Sequence, residues 1–341
     1  SEWALSSLRC GLELGVPGGI ALCWDLLVAE AERYSQRGDH REAEQRWQDV
    51  AALLGAETPE LVYRRMSDAA LLNTQGRGGT PEENRVWGDQ HKHEVLECLH
   101  ARLRPALYLE IGVDRGLGLA RAQGPAIGLD PRPQLDLQVT LNAQTRIVPL
   151  SSDAFFREQA ATLLQPPPGL VFIDGMHLFE FALRDFRQVE RHAGAATLVV
   201  IDDVFPCHPA QAERRRRTQS WTGDVWKLHA ILRARRPDLT LLALNAKTTG
   251  LLLVAGLDPD NRVLWDEGEA IIQAYREDAP PPPAVLAREG ALASDHPVLE
   301  QLVAVLAEAQ HADWSRARVH EALAALAPAM TAAQRDQCNW R

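Results

Sequence analysis

Short, unbroken apolar runs separated by amphipathic stretches dominate the middle of the chain. In order, between residues 91 and 258, they are "ALYLEIGV", "PAIGLD", "RIVPL", "LVFID", "TLVVID", "LTLLAL" and "GLLLVAGL". Runs this short and continuously apolar are what strands buried on both faces look like. The helical stretches between them predict an α/β fold with a doubly wound, mainly parallel, seven-stranded sheet. Only "NAKTT" separates the last two runs, too little chain for a crossover helix, so they are predicted to pair as an antiparallel hairpin at a sheet edge.

The flanks follow a helical period instead. From Trp24 to about Leu54 the apolar positions recur at helical spacing on both sides of "RGDH", which predicts two helices joined by a tight turn. Gly38, Ala43 and Trp47 resemble the second half of a tetratricopeptide unit, but a solenoid needs several stacked repeats, and a single copy reads first as a plain helical extension packed on the core. "QGRGGTPEEN", residues 75–84, predicts a glycine-rich turn and then a helix start, with Thr80 as cap and Pro81 in the first helical position. "APPPPA", residues 279–284, is a stiff spacer before another helical stretch. Three regions are therefore expected: a helical 1–90, an α/β domain over 91–258, and a helical 259–341.

Composition narrows the class. The chain has 341 residues, 46% hydrophobic and 24% charged, and no segment approaches the roughly 18 consecutive apolar residues of a membrane span, so a soluble protein with no membrane partner is expected. A net charge of −10 disfavours general nucleic-acid binding. The five cysteines are scattered without a CxxC pair and the first residues lack a basic-then-apolar leader, which together favour a reducing, cytoplasmic setting.

In a doubly wound sheet, ligands bind at the carboxyl ends of the strands. After the first run come Glu110, Gly112, Asp114 and Gly116, and Asp130 ends the second run twenty residues beyond Glu110. The glycines permit a sharp turn close to a ligand, and Asp130 is placed to accept from a ribose diol. The dinucleotide fingerprint GxGxxG is missing, because Gly116 and Gly118 are followed by Arg121 where the third glycine would stand. After the third run, Ser152 and Asp153 are candidates for an adenine amino group, and each is equally readable as a helix cap or turn residue.

"LVFID" ends on Asp174 and "TLVVIDD" on Asp202 and Asp203. If those strands are neighbours they lie about 4.8 Å apart, and three carboxylates converge. Crowded carboxylates repel, a cost that a divalent cation removes; all-oxygen ligation suits Mg²⁺, with Mn²⁺ or Ca²⁺ as alternatives. His177, three residues past Asp174, is a candidate general base. The bland alternative is that the aspartates cap helices and His177 is a half-buried core histidine. Arg214–Arg217 read either as an anion-binding lid or as a solvated helix face. Further on, "WTGDVWKLHAIL" places Trp221, Asp224, Trp226 and Lys227 at a helix start, with Lys227 as the alternative base.

On these motifs, residues 91–258 resemble the class I S-adenosylmethionine-dependent methyltransferases: "YLEIGVDRG" looks like the first motif, "IGLD" like the acidic end of the second strand, and the closing hairpin like the sixth and seventh strands. The resemblance implies that Glu110, Gly112 and Gly116 form the loop around the amino-acid portion of S-adenosyl-L-methionine, that Asp130 binds the ribose, and that Ser152 and Asp153 lie by the adenine. "GLGLA" departs from the pattern where relatives commonly carry a serine. "DGMH", followed 28 residues after its Asp by "DD", resembles the metal-dependent sugar O-methyltransferases of macrolide and aminocoumarin biosynthesis. That resemblance implies Asp174, Asp202 and Asp203 as ligands of a divalent metal, Mg²⁺ first, and His177 as base, although in some relatives an aspartate takes that role. The expected function is O-methylation of a sugar, glycan or natural-product hydroxyl, with the helical additions selecting the acceptor or mediating self-association. Two other readings stay open: an NAD-dependent oxidoreductase or sugar epimerase, and a non-catalytic scaffold.

Overall fold

A computed structural model describes residues 19–54, 60–73 and 78–337. The chain divides into two compact units. One is formed by residues up to 84 together with 215–221, the other by 85–214 and 222–341.

In the first unit, α1 (Gly19–Gln36), α2 (His40–Leu54) and α3 (Glu60–Asn73) follow one another. The α1–α2 turn lies at "RGDH", where Gly38 takes φ 76° and its N–H donates to the Ser35 carbonyl. A side chain at that φ would be strained, so glycine suits this corner. Leu27 and Ala31 of α1, Ala43, Trp47 and Val50 of α2, and Val62 and Ala69 of α3 are buried together, with spacings of three and four that place them on one stripe of each helix. Glu44, 2% exposed, accepts from Asn73 Nδ2 at 2.9 Å and from Arg215. The helix expected to start at Thr80 stops after one turn. Thr80 and Glu83 exchange bonds, Thr80 N–H to Glu83 Oε2 at 2.7 Å and Glu83 N–H to Thr80 Oγ1 at 3.2 Å, but the chain turns away after Asn84. No apolar stripe follows to bury a longer helix, and a cap cannot propagate one. Residues 75–77 of that expectation lie outside the described residues.

The second unit holds β1 (Tyr108–Ile111), β2 (Ala126–Leu129), β3 (Thr145–Val148), β4 (Leu170–Ile173), β5 (Leu198–Asp202), β6 (Thr240–Leu244) and β7 (Leu251–Ala255). Their order is β3-β2-β1-β4-β5-β7-β6, with parallel pairing from β3 to β5 and β7 antiparallel to both neighbours. The seven apolar runs are thus the seven strands, and the last two form the edge hairpin.

Both faces of the sheet are covered. Leu109, Ile111, Val171, Ile173, Val199 and Ile201 pack against α5 (Ser152–Glu158), α6 (Phe179–Arg191) and α7 (Lys227–Arg235). The alternate residues Tyr108, Leu170, Phe172, Leu198 and Val200 pack with α4 (Lys92–Leu103), α8 (Pro297–His311) and α9 (Arg316–Gln337). Period-two alternation with both sets buried explains why the runs read as continuously apolar. The helices beyond the proline run therefore cover one face of the sheet. No helix among the described residues is long and apolar enough to cross a membrane.

Candidate active site

The carboxyl end of β1 runs into a glycine turn packed on β4. Gly112 has φ 92°, and a Cβ there would lie 2.0 Å from the Asp174 carbonyl oxygen, so only glycine lets the two strand ends meet. Gly116 also has positive φ, and a Cβ there would press Leu135 at 2.9 Å. Glu110 lies beneath the turn rather than facing outward. It is 1% exposed, accepts the Tyr108 hydroxyl at 2.6 Å and a bond from the Leu119 amide, and a Cβ on Gly118 would reach its carboxylate at 2.8 Å. Burial pushes the Glu110 carboxyl up to about 8 against the Tyr108 bond, with Asp174 adding to the rise.

Asp130, at the end of β2, ties the same turn together. Its Oδ2 accepts the Asp114 amide at 2.9 Å and its Oδ1 the Arg132 amide at 2.7 Å, and it is 3% exposed. At the end of β3 the cap of α5 is Ser151, whose side chain accepts from the Ala154 amide at 3.3 Å. Ser152 is the buried first residue of that helix, and Asp153 pairs with Arg184 at 3.3 Å.

Beyond β4 and β5 the three aspartates come together around two bases. The register pairs Ile173 with Ile201, so Asp174 and Asp202 leave adjacent strands side by side. The Lys92 ammonium sits between them, 2.7 Å from Asp174 Oδ2 and bonded to Asp202 Oδ2. Asp202, its side chain wholly buried, accepts from Thr249 Oγ1 at 3.2 Å with its other oxygen. Asp203 takes φ 64°, a left-handed backbone that aspartate adopts more readily than most residues, and its Oδ2 lies 2.8 Å from His177 Nδ1. His177 Nε2 lies 3.9 Å from Asp174 Oδ1, and the imidazole is 29% exposed. Gly223 holds the histidine's backbone, since a Cβ there would be 1.6 Å from the His177 carbonyl oxygen.

The electrostatics follow from this packing. Burial pushes Asp174 up to about 7, its neighbours Asp202 and Asp203 adding to the rise and Lys92 and His177 opposing it. Burial also raises Asp202. Asp203 is held below the usual carboxylate range, because His177, followed by Lys92, outweighs its burial. Burial likewise works against the Lys92 charge, but Asp174, Asp202 and Asp203 hold its ammonium well above the ordinary lysine range.

Sequence reasoning passed over Lys92, which stands 82 residues before Asp174 and 110 before Asp202. Its local signal is the position at the head of α4. His91 caps that helix and forms a capping box with Glu94, and the Lys92 amide donates to the Lys247 carbonyl at 2.6 Å.

Lys227, expected as the alternative base, is engaged otherwise. Its Nζ donates to Asp224 Oδ2, Tyr275 O and Glu277 O, each at 2.8 Å, and an ammonium that gives three protons to three acceptors has no lone pair to offer. The arginine run is neither a lid nor a helix face. Arg214 is bound within the second unit by Glu180 and by Asp224 at 2.6 Å, while Arg215 and Arg217, in the first unit, pair with Glu44 and Glu83. Asp224 Oδ1 also accepts the Phe179 amide at 2.9 Å, supplying the cap that α6 lacks at Leu178.

Three carboxylates turned to one divalent ion are not what this arrangement offers. Both oxygens of Asp202 are bonded and Lys92 fills the space between Asp202 and Asp174. The ligand atoms that do converge, within 4.8 Å of one another, belong to Asp174, His177 and Asp203. Of the expected set, Asp174 and Asp203 are in that group, while Asp202 is bonded to Lys92. Replacing Asp202 by an imidazole would also take His177 away from base chemistry.

No protein-family model matches the chain, and no curated protein matches it. Similar solved structures include cofactor-bound Rv0187 from MTB, at 22% identity over 62% of this chain and 97% of that one, with a TM-score of 0.40. The O-methyltransferase from Bacillus cereus in complex with SAH is 15% identical over 61% and 94% of the two chains, with a TM-score of 0.36. The O-methyltransferase TomG from Streptomyces achromogenes, involved in tomaymycin synthesis and in complex with SAM, is 16% identical over 63% and 98%, with a TM-score of 0.37. The strand order of the sheet, with β7 inserted antiparallel between β5 and β6, gives this chain the Rossmann-like fold expected of a class I methyltransferase, flanked by helical N- and C-terminal regions.

Proposed function

We propose that the protein transfers the methyl group of S-adenosylmethionine to a hydroxyl oxygen of a small-molecule or glycan acceptor. One observation carries this reading: a glycine turn with a bound Asp130 at the ends of β1 and β2 stands beside an aspartate-held imidazole at the ends of β4 and β5. The groups read here as cofactor-shaping and proton-accepting thus share the carboxyl end of the sheet, where this topology binds ligands.

In this reading Nδ1–H is donated to Asp203, and Nε2, which lies 3.9 Å from Asp174 Oδ1, is the nitrogen that takes a proton. That nitrogen accepts the acceptor's hydroxyl proton, the oxygen forms a bond to the methyl carbon, and the carbon–sulfur bond breaks to release S-adenosylhomocysteine. Asp203 fixes the tautomer and the ring plane. A sugar or natural-product hydroxyl is favoured by the sequence resemblance of "DGMH" and "DD" and by an imidazole poised for an alcohol proton. No step is assigned to a divalent ion; were one held, Asp174, His177 and Asp203 would be its ligands and it would supply positive charge to the acceptor oxygen.

Calorimetry with S-adenosylhomocysteine and with NAD tests the cofactor class. S-adenosylhomocysteine should bind and raise the melting temperature, whereas NAD should do neither. A response to NAD alone would return the chain to the oxidoreductase or epimerase reading, which the Arg121 position disfavours. A panel of hydroxylated glycosides with labelled S-adenosylmethionine then reads the acceptor class.

A further inference from the structure

We propose that Lys92 is the protein's own cation at the carboxylate cluster, standing where a divalent ion would and keeping one from Asp202. The role given to it in the reaction rests on the methyl-transfer reading; its position among the carboxylates does not.

Four observations carry the assignment. The ammonium bonds to Asp174 Oδ2 and Asp202 Oδ2 together, the two groups that adjacent parallel strands bring to one point. Both oxygens of Asp202 are engaged, one by the ammonium and the other by Thr249. The lysine is not a surface side chain folded inward by chance. Its side chain is 18% exposed, its Nζ lies 5.9 Å from the centre of the Phe172 ring, and its backbone is fixed between the His91 cap and the Lys247 carbonyl. Finally, the helix that carries it is anchored in the core by Val95, Leu96, Leu99 and Leu103, which fixes the lysine's backbone beside the cluster.

The chemistry is balanced without a metal. A divalent ion between Asp174 and Asp202 would meet the ammonium at contact distance and be repelled by its charge. An ammonium there supplies positive charge to the acceptor oxygen as His177 removes its proton, which is the electrostatic part of what a Lewis acid would do.

Manganese uptake by the full-length chain, read from the paramagnetic signal of free Mn²⁺ in the presence of S-adenosylhomocysteine, tests the proposal. Lys92→Met is expected to bind Mn²⁺ at least about tenfold more tightly than the unaltered protein, a difference of about 1.4 kcal/mol. Adding Asp202→Asn to that variant should abolish the gain. The proposal is overturned if the unaltered protein binds Mn²⁺ as tightly as Lys92→Met. Should Lys92→Met fail to fold, the unaltered protein and Asp202→Asn decide: micromolar Mn²⁺ binding that Asp202→Asn removes overturns it, and absence of such binding upholds it. Calorimetry of S-adenosylhomocysteine on the same samples is a separate readout; its failure would remove the methyl-transfer reading and leave the cation assignment standing.

Discussion

Nδ1 of His177 stands 2.8 Å from Oδ2 of Asp203, and Asp203 reaches it from a left-handed backbone at φ 64°. Strain of this kind costs about 1–3 kcal/mol and persists only where the surroundings impose it. Here it turns a carboxylate toward an imidazole and so selects which nitrogen holds the proton.

His177→Ala should leave S-adenosylhomocysteine affinity within about twofold while lowering turnover by roughly 10² to 10⁴, the usual contribution of a positioned base. Asp203→Asn should also slow turnover, because an amide N–H donating to Nδ1 would set the opposite tautomer. Single-turnover kinetics alongside calorimetry separate the two effects. Full turnover in His177→Ala would sink the assignment.

Glu110 makes the cofactor-free protein sensitive to pH in a defined direction. Its folded-state value near 8 lies above its ordinary 4.5, so the folded chain holds a proton that the unfolded chain releases. Stability from this group is complete below about pH 4.5 and is lost as the pH rises through about 8. Asp174 and Asp202 act with the same sign. The histidines His93, His100 and His229, which burial holds below their ordinary value, act with the opposite sign below about pH 6.5, so the test is the difference: from about pH 5 to about pH 8, Glu110→Gln should lose less stability in urea than the unaltered chain. The same pH dependence in the two proteins would mean the Glu110 carboxyl ionises freely in the folded state.

Gly112→Ala should distort the strand ends, since its methyl would stand 2.0 Å from the Asp174 carbonyl oxygen. The expected result is a lowered melting temperature together with weakened S-adenosylhomocysteine binding. Gly290→Ala is the comparison: φ is similarly positive at 78°, but nothing lies within 4 Å, so it should cost only about 1 kcal/mol and leave cofactor binding intact. Equal effects from the two substitutions would refute the close-approach argument.

Lys227→Met tests whether that lysine is structural. It leaves Asp224, 1% exposed, with Arg214 as its remaining cation and two carbonyls without their donor. Removing one partner of a buried pair costs about 3–5 kcal/mol, so the melting temperature should drop sharply while turnover well below it stays near normal. A stable variant with turnover reduced a hundredfold or more would instead make Lys227 the base.

Much of this molecule is local in origin. Seven apolar runs became seven strands because burial on both faces writes itself into consecutive residues, and "NAKTT" was too short for anything but a hairpin. Gly38 and Gly112 mark corners whose backbone angle or close approach excludes a Cβ. The three aspartates and His177 were visible as a group because each follows a strand end, and adjacent parallel strands put such ends together. What the sequence could not determine is the direction in which each side chain turns and what distant group meets it. Lys92 lies in another helix, 82 and 110 residues from its partners, and nothing in its neighbourhood along the chain records the two carboxylates. From sequence Asp202 reads as a metal ligand, and its bond to the Lys92 ammonium is visible only in the fold. Arg214 to Arg217 read as one basic group until packing divided them between two units and matched Arg214, Arg215 and Arg217 to carboxylates far along the chain. The physical reason is range. Periodicity and backbone preference act over a few residues and survive in the text, whereas charge pairing in a buried site depends on distances in space, which only the tertiary structure sets.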